Sequence, residues 1–92
     1  MLIALDYDGT YTLDCEFWNT FILNAKEKDY QVICVTMRYD NEVEATEVLN
    51  SIGKLCKVIF TGRHAKKEFA NDMKIFPDIW IDDNPYWILA DG

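Results

Sequence analysis

Four short apolar runs alternate along the chain with longer stretches in which apolar residues recur every three or four positions. The short runs are rich in β-branched residues and too short for helices, so they predict strands at Leu2–Leu5, Gln31–Thr36, Lys57–Phe60 and Ile79–Ile81. The longer stretches predict amphipathic helices over residues 15–28, 41–52 and 64–74. Asp14 is placed to cap the first helix and Gly53 to end the second. Residues 86–92 are expected to hold at most a helical turn or a very short strand.

The alternation of strands and helices predicts an α/β fold with a parallel sheet. Parallel strands are joined by right-handed crossovers, so we expect helices on both faces of the sheet. The 92 residues are enough for a single domain spanning positions 1–92 and leave no room for a second core. Cys34 lies inside an apolar run, and we expect it in that core.

The composition argues against several classes of protein. A net charge of -7, from sixteen acidic residues against nine Lys and Arg, disfavours binding to nucleic acid or to an anionic membrane. Trp80 and Trp87 are therefore expected in the core and at the sheet edge, not as a platform for bases. The three cysteines lack C-x-x-C spacing, as expected for reduced thiols. Without a signal peptide before the first strand or an apolar run near the ~20 residues of a membrane span, we expect a cytoplasmic protein.

Cations are concentrated in one part of this acidic chain. Six of the nine Lys and Arg residues lie between positions 54 and 74. This basic stretch is either a solvated helix face or a region suited to an anionic ligand. Arg38 and Arg63 follow predicted strand ends and are candidates to hold a distal anionic group of a substrate. His64, the single histidine, is either loop surface or a substrate contact.

Polar residues follow every predicted strand. Asp6 and Asp8 come after the first strand, Thr36 ends the second, and Asp82 and Asp83 follow the fourth. Because ligands of such sheets bind beyond the carboxyl ends of the strands, these residues are expected to share one site. Side chains two positions apart on an extended backbone point the same way, so Asp6 and Asp8 are expected to reach one ion or one phosphorus atom.

Four converging carboxylates repel one another and need a cation. Hard oxygen ligands favour Mg²⁺ over zinc, and Mg²⁺ commonly bridges to a substrate phosphate. Asp6 is then a candidate nucleophile toward phosphorus, and Asp8 a candidate acid that protonates the leaving oxygen and later activates water. Thr36 offers a hydroxyl to the transferring phosphoryl group, although it is also explained as an ordinary residue at a strand end.

A lysine near Asp6 would offset the remaining charge, and two adjacent lysines compete for this role. At about 100° per residue, Lys66 points close to the apolar stripe of the third helix, whereas Lys67 points away from it. Lys66 also lies in the first turn, nearest the strand ends. We therefore choose Lys66, with an ordinary surface lysine as the alternative.

Taken in order, these motifs resemble those of the haloacid dehalogenase (HAD) superfamily. The resemblance rests on Asp6-Tyr7-Asp8-Gly9-Thr10, Thr36 after the second strand, a lysine on a helix, and Asp82-Asp83 after an apolar strand. It implies a Rossmann-like sheet, for which we expect four parallel strands in the order 4-1-2-3. It also implies a Mg²⁺-dependent phosphohydrolase in which Asp6 forms an aspartyl-phosphate and Asp8 acts as acid and base.

The resemblance further implies a ligand set for Mg²⁺: Asp6, the backbone carbonyl of Asp8, and the pair Asp82 and Asp83. The run from Ile81 to Pro85 is similar to the fourth motif of Fcp1/Scp-type phosphatases, which favours Asp83 as the direct ligand, with Asp82 close by. The segment between the first motif and the first helix is too short for a cap domain. We therefore expect a capless member with an open site. Such a site could take a phosphorylated small molecule or an exposed phosphoester of a larger substrate. Alternatively, a second subunit could cover it.

Two other functions are compatible with this pattern. A chain that keeps the fold and the metal without useful catalysis would be a binding or regulatory module, and the missing cap is the reason to consider it. A phospho-accepting receiver domain also places acids, a threonine and a lysine at strand ends. Its acceptor aspartate should follow the third strand, where this chain has Thr61 and Gly62, so we rank this possibility last.

Overall fold

A parallel four-stranded sheet forms the centre of the structure, which is a computed structural model of residues 1–92. The strands are β1 (Leu2–Leu5), β2 (Gln31–Thr36), β3 (Lys57–Phe60) and β4 (Ile79–Ile81). Their order is β3-β2-β1-β4, with Ala4 paired to Ile33 on one side and to Trp80 on the other. This is the predicted order 4-1-2-3 read from the opposite edge, so the predicted sheet is confirmed.

Helices flank the sheet, as predicted for an α/β fold. They are α1 (Cys15–Glu27), α2 (Glu42–Leu49), α3 (Lys66–Asp72) and a single turn, α4 (Tyr86–Leu89). Short turns of 3₁₀ helix cover Tyr11–Leu13 and Ile52–Lys54. The predicted cap of α1 is present, because Asp14 Oδ1 accepts a hydrogen bond of 3.0 Å from the amide of Phe17. None of the four helices combines the length and the apolar character that crossing a membrane requires.

Helices α2 and α3 are shorter than predicted. Helix α2 ends at Leu49, and Gly53 lies in the following 3₁₀ turn, so Gly53 does not end the helix as predicted. The hydroxyl of Ser51 donates to the carbonyl of Glu47 at 2.8 Å, which satisfies a carbonyl at the end of the helix. Helix α3 begins two residues later than predicted, because the chain still turns at residues 62–64, and it ends two residues earlier, at Asp72.

The two faces of the sheet bury separate clusters of side chains. On one face, Ile3, Leu5 and Cys34 pack against residues of α1 and α2, including Ile22 and Val48. On the other face, Ala4, Ile33, Val35 and Ile59 pack with Phe69 of α3 and with Trp80. Cys34 is fully buried, as predicted. The sheet is thus anchored on both faces, and its carboxyl edge presents the loops after β1, β2 and β4.

Candidate functional site

A polar pocket of about 270 Å³ lies at the carboxyl ends of the strands. Each loop reaches it directly from a buried strand, so the rigid sheet fixes where the polar side chains start. The pocket is lined by all six site residues expected from the sequence: Asp6, Asp8, Thr36, Lys66, Asp82 and Asp83. The structure therefore brings the predicted set to one place, although the side chains have different partners there.

Lys66 occupies the centre of the site. Its Nζ atom lies 2.7 Å from Oδ1 of Asp6 and 2.6 Å from Oδ2 of Asp82. The side chain is only 2% exposed, whereas the neighbouring Lys67 is exposed. The ammonium therefore pairs with the carboxylates that follow β1 and β4. Lys66, and not Lys67, therefore points into the site, as the periodicity of the helix predicted.

The carboxyl group of Asp6 has an unusual proton affinity. Burial raises its pKa from the ordinary value of 3.8 to about 7. Lys66 opposes this rise, and the nearby carboxylates of Asp83 and Asp82 add to it. Lys66 is the one cation paired within this group of three acids, and it contacts only Asp6 and Asp82, so the site carries excess negative charge when all three are ionised.

Thr10 and Gly9 position Asp83 against Asp6. The Thr10 hydroxyl lies 3.3 Å from Oδ2 of Asp6 and 3.2 Å from Oδ1 of Asp83, and its oxygen accepts from the Asp83 amide at 3.1 Å. Gly9 has a φ of 79°, and a Cβ at this position would lie 2.4 Å from Oδ2 of Asp83. Thr10 had no predicted role of its own, although its place in the first motif was a signal for one.

Three carboxylates are arranged so that they fit a divalent cation. Asp6, Asp82 and Asp83 each offer one oxygen, and these oxygens lie within 4.8 Å of one another. The donor set is entirely hard oxygen, which suits Mg²⁺. Asp83 forms no ion pair with Lys66, so its negative charge is left for another cation. That Asp83 is the direct ligand, with Asp82 close by, stays a prediction.

The carboxylate of Asp8 does not join this group, contrary to the expectation that it points the same way as Asp6. Strand β1 ends at Leu5 and Asp8 lies in a turn, so the alternation of an extended backbone no longer applies. Instead, Asp8 accepts two hydrogen bonds from Arg38, at 2.9 Å from Nε and 2.8 Å from Nη2. Its side chain is 55% exposed and borders the pocket.

Arg38 donates hydrogen bonds within the chain from each of its three guanidinium nitrogens. Its Nη1 atom donates to the carbonyl of Glu44 at 2.9 Å, and its guanidinium lies 5.0 Å above the ring of Tyr7. The hydrogen bonds to Asp8 raise the pKa of Arg38. From the sequence, Arg38 was a candidate contact for a distal anionic group of a substrate. Because each guanidinium nitrogen already donates within the chain and the Asp8 carboxylate offsets its charge, Arg38 is less suited to that role than an arginine without an acidic partner.

The remaining candidates divide between the pocket and the surface. Thr36 is buried at the end of β2, and its hydroxyl oxygen accepts from the amide of Arg38 at 3.3 Å, which leaves its own proton for the pocket. Arg63 and Trp87 line the pocket. His64 stacks on Phe69 outside it, with its ring 67% exposed. Trp80 packs against the core, as expected.

Comparison with models of known protein families, with curated proteins and with solved structures finds no match to this chain. The interpretation of the site therefore rests on its own residues and geometry.

Proposed function

We propose that this chain is a Mg²⁺-dependent phosphohydrolase that acts on phosphomonoesters through an aspartyl-phosphate on Asp6. The observation that carries the proposal is the buried ammonium of Lys66, which bridges Asp6 and Asp82 beside a third carboxylate, Asp83. Lys66 pairs with only two of these acids, and the exposed Asp83 lies beside them with no cation of its own, although like charges repel. A divalent cation would offset the negative charge that Lys66 leaves and would also attract a phosphoryl group.

The residues of the pocket have separate roles in this proposal. Asp6 attacks phosphorus, and Lys66 holds its carboxylate in one orientation and offsets its charge. The Thr36 hydroxyl donates to an oxygen of the transferring phosphoryl group. Asp6, Asp82 and Asp83 would hold Mg²⁺, together with the backbone carbonyl of Asp8. The bound metal would withdraw charge from the phosphoryl oxygens. Asp8 borders the pocket and would deliver a proton to the leaving oxygen, then remove one from water.

The proposed family is the HAD superfamily, as a capless member. The support is the match between the order of the motifs and their convergence at the ends of β1, β2 and β4, with the lysine at the start of α3. The segment between β1 and α1 contains only a 3₁₀ turn. The pocket is accordingly open, which suits a phosphorylated small molecule or an exposed phosphoester of a larger substrate.

Phosphate release from a panel of phosphoesters tests the proposal. The panel contains an aryl phosphate, nucleotides, sugar phosphates and phosphopeptides, each with Mg²⁺ and with EDTA. We expect release that requires Mg²⁺, that falls at least about a hundredfold in Asp6→Asn, and that survives in Asp72→Asn, an exposed acid outside the pocket. Equal release by the wild type and Asp6→Asn would overturn the proposal.

A binding or regulatory module with little catalysis is the second candidate, and the pairing of Asp8 with Arg38 favours it. A carboxylate held by two hydrogen bonds to a guanidinium is poorly prepared to exchange protons with a substrate. This candidate predicts that Mg²⁺ raises the melting temperature although no phosphoester of the panel is hydrolysed. Robust hydrolysis that depends on both Asp6 and Asp8 would exclude it.

A further inference from the structure

Arg63 differs from the other cations near the site because its guanidinium has no acidic partner. Of the cations lining the pocket, Lys66 is paired with Asp6 and Asp82, whereas Arg63 forms no ion pair and donates no side-chain hydrogen bond. Its guanidinium lies 5.9 Å from the ring centre of Tyr39, a position that leaves its donors free. Arg38, the other arginine considered from the sequence, is already occupied by Asp8.

Arg63 has a backbone conformation that arginine rarely adopts. Its φ is 73°, in the left-handed region that favours glycine, and Gly62 before it has a φ of 59°. Three backbone hydrogen bonds fix the turn: Gly62 to Arg38 at 3.1 Å, Arg63 to Met37 at 2.9 Å, and Gly92 to the carbonyl of Arg63 at 2.8 Å. Asp29 and Lys74 also have positive φ values, but of these three residues only Arg63 borders the pocket.

The pocket has two chemically different parts. Asp6, Lys66 and Asp83 belong to the part that would hold the metal and the phosphoryl group. The rest of the lining, which includes Met37, Arg63 and Trp87, is left for the remainder of the substrate. Arg63 borders that part, and a guanidinium without an acidic partner suits an anion, because it donates charge-assisted hydrogen bonds to carboxylate or phosphate.

We propose that Arg63 selects phosphomonoesters that carry a second anionic group on the leaving portion, either a carboxylate or another phosphate. The inference rests on the proposed phosphohydrolase function and adds a substrate class to it. The ring of Tyr39 lies beside the guanidinium and beside Gly62, where it supports the orientation of Arg63. The substrate would thus be bound at both ends, by the carboxylate and lysine cluster with its metal and by Arg63.

The test compares two esters of nearly equal shape, 4-carboxyphenyl phosphate and its neutral analogue 4-carbamoylphenyl phosphate, in the presence of Mg²⁺. We expect the wild type to have a lower KM for the carboxylate ester. In Arg63→Gln, the KM for that ester should rise about tenfold or more, and the KM for the amide ester less than about threefold, with kcat changed little for either. The 1,4-phenylene bisphosphate shows whether a second phosphate serves better than a carboxylate.

Two further variants separate charge from backbone conformation. Arg63→Gly removes the cation and the strain together, so it should lose the preference for the carboxylate ester while its melting temperature stays the same or rises. Lys67→Gln removes an exposed cation outside the pocket and should retain the preference. If Arg63→Gln keeps the wild-type ratio of KM values, the inference fails and the phosphohydrolase stands. If neither ester is hydrolysed, both fail.

Discussion

The ammonium of Lys66 lies 2.7 Å from the carboxylate of Asp6, although the two residues are 60 positions apart in the chain. The same ammonium reaches Asp82 at 2.6 Å. This lysine therefore ties the loop after β1 to the loop after β4 and connects both to the start of α3. The carboxylate proposed as the nucleophile is held by a buried cation, so its orientation does not depend on the substrate.

Replacing Lys66 tests how much its ion pairs contribute to the stability of the fold. Lys66→Met leaves Asp6 and Asp82 close together and without their cation, and we expect the free energy of unfolding at pH 8 in EDTA to fall by about 3 kcal/mol. Lys67→Met removes the adjacent exposed lysine and should change it by less than about 0.5 kcal/mol. Urea denaturation of both variants gives the comparison. Equal effects of the two substitutions would show that the buried ion pairs are unimportant.

The raised pKa of Asp6 predicts how the stability of the metal-free protein depends on pH. The folded state keeps a proton on Asp6 up to about pH 7, whereas the unfolded chain releases it near 3.8. Between these values the folded state binds more protons, so stability decreases as the pH rises through this window. Urea denaturation in EDTA from pH 4 to pH 8 should show a steeper decline for the wild type than for Asp6→Asn. Parallel curves for the two proteins would contradict the raised pKa.

Gly9 offers a test of the metal site that changes no carboxylate. A Cβ at this position would lie 2.4 Å from Oδ2 of Asp83, and the φ of 79° is unfavourable for alanine. Gly9→Ala should displace Asp83 and weaken Mg²⁺ binding at least about tenfold, as Asp83→Asn should. The measurement is the rise in melting temperature on addition of Mg²⁺. A wild-type rise in both variants would argue against Asp83 as a ligand.

The three cysteines report on the packing of the sheet. Cys15 is exposed and Cys34 is fully buried. Burial raises the pKa of the Cys56 thiol to about 11 and raises that of Cys34 as well. Because the thiolate is the reactive form, a thiol reagent at pH 8 should label Cys15 quickly and Cys56 slowly, and should label Cys34 only after unfolding. Rapid labelling of Cys34 in the native protein, located by peptide mass spectrometry, would contradict the described core.

The strands were predictable because their signals are local, and their order was expected from the resemblance of the motifs to those of the HAD superfamily. Short runs such as Val32-Ile33-Cys34-Val35 can be recognised as strands from their own residues. The polar residues that follow them mark the edge of the sheet at which the site lies. The choice of Lys66 also came from a local property, its angle on the helix. For these features the sequence was sufficient.

The features that were missed depend on residues far apart in the chain. The carboxylate of Asp8 is turned toward Arg38, which is 30 positions away. The late start of α3 follows from the left-handed turn at Arg63, whose amide and carbonyl bond to Met37 and Gly92. No periodicity records such contacts, so the direction of Asp8 and the freedom of Arg63 became visible only in the fold.

Trapping the covalent intermediate tests the central claim most directly. Asp8→Asn is mixed with Mg²⁺ and an aryl phosphate whose leaving group needs no proton, then quenched in acid and digested for mass spectrometry. Since this variant lacks the base that activates water, the intermediate should accumulate, and we expect one added phosphoryl group on Asp6. The adduct should be absent from the double variant that also carries Asp6→Asn. A phosphoryl group on another residue, or turnover by the wild type with no adduct on Asp6 in either protein, would contradict the account.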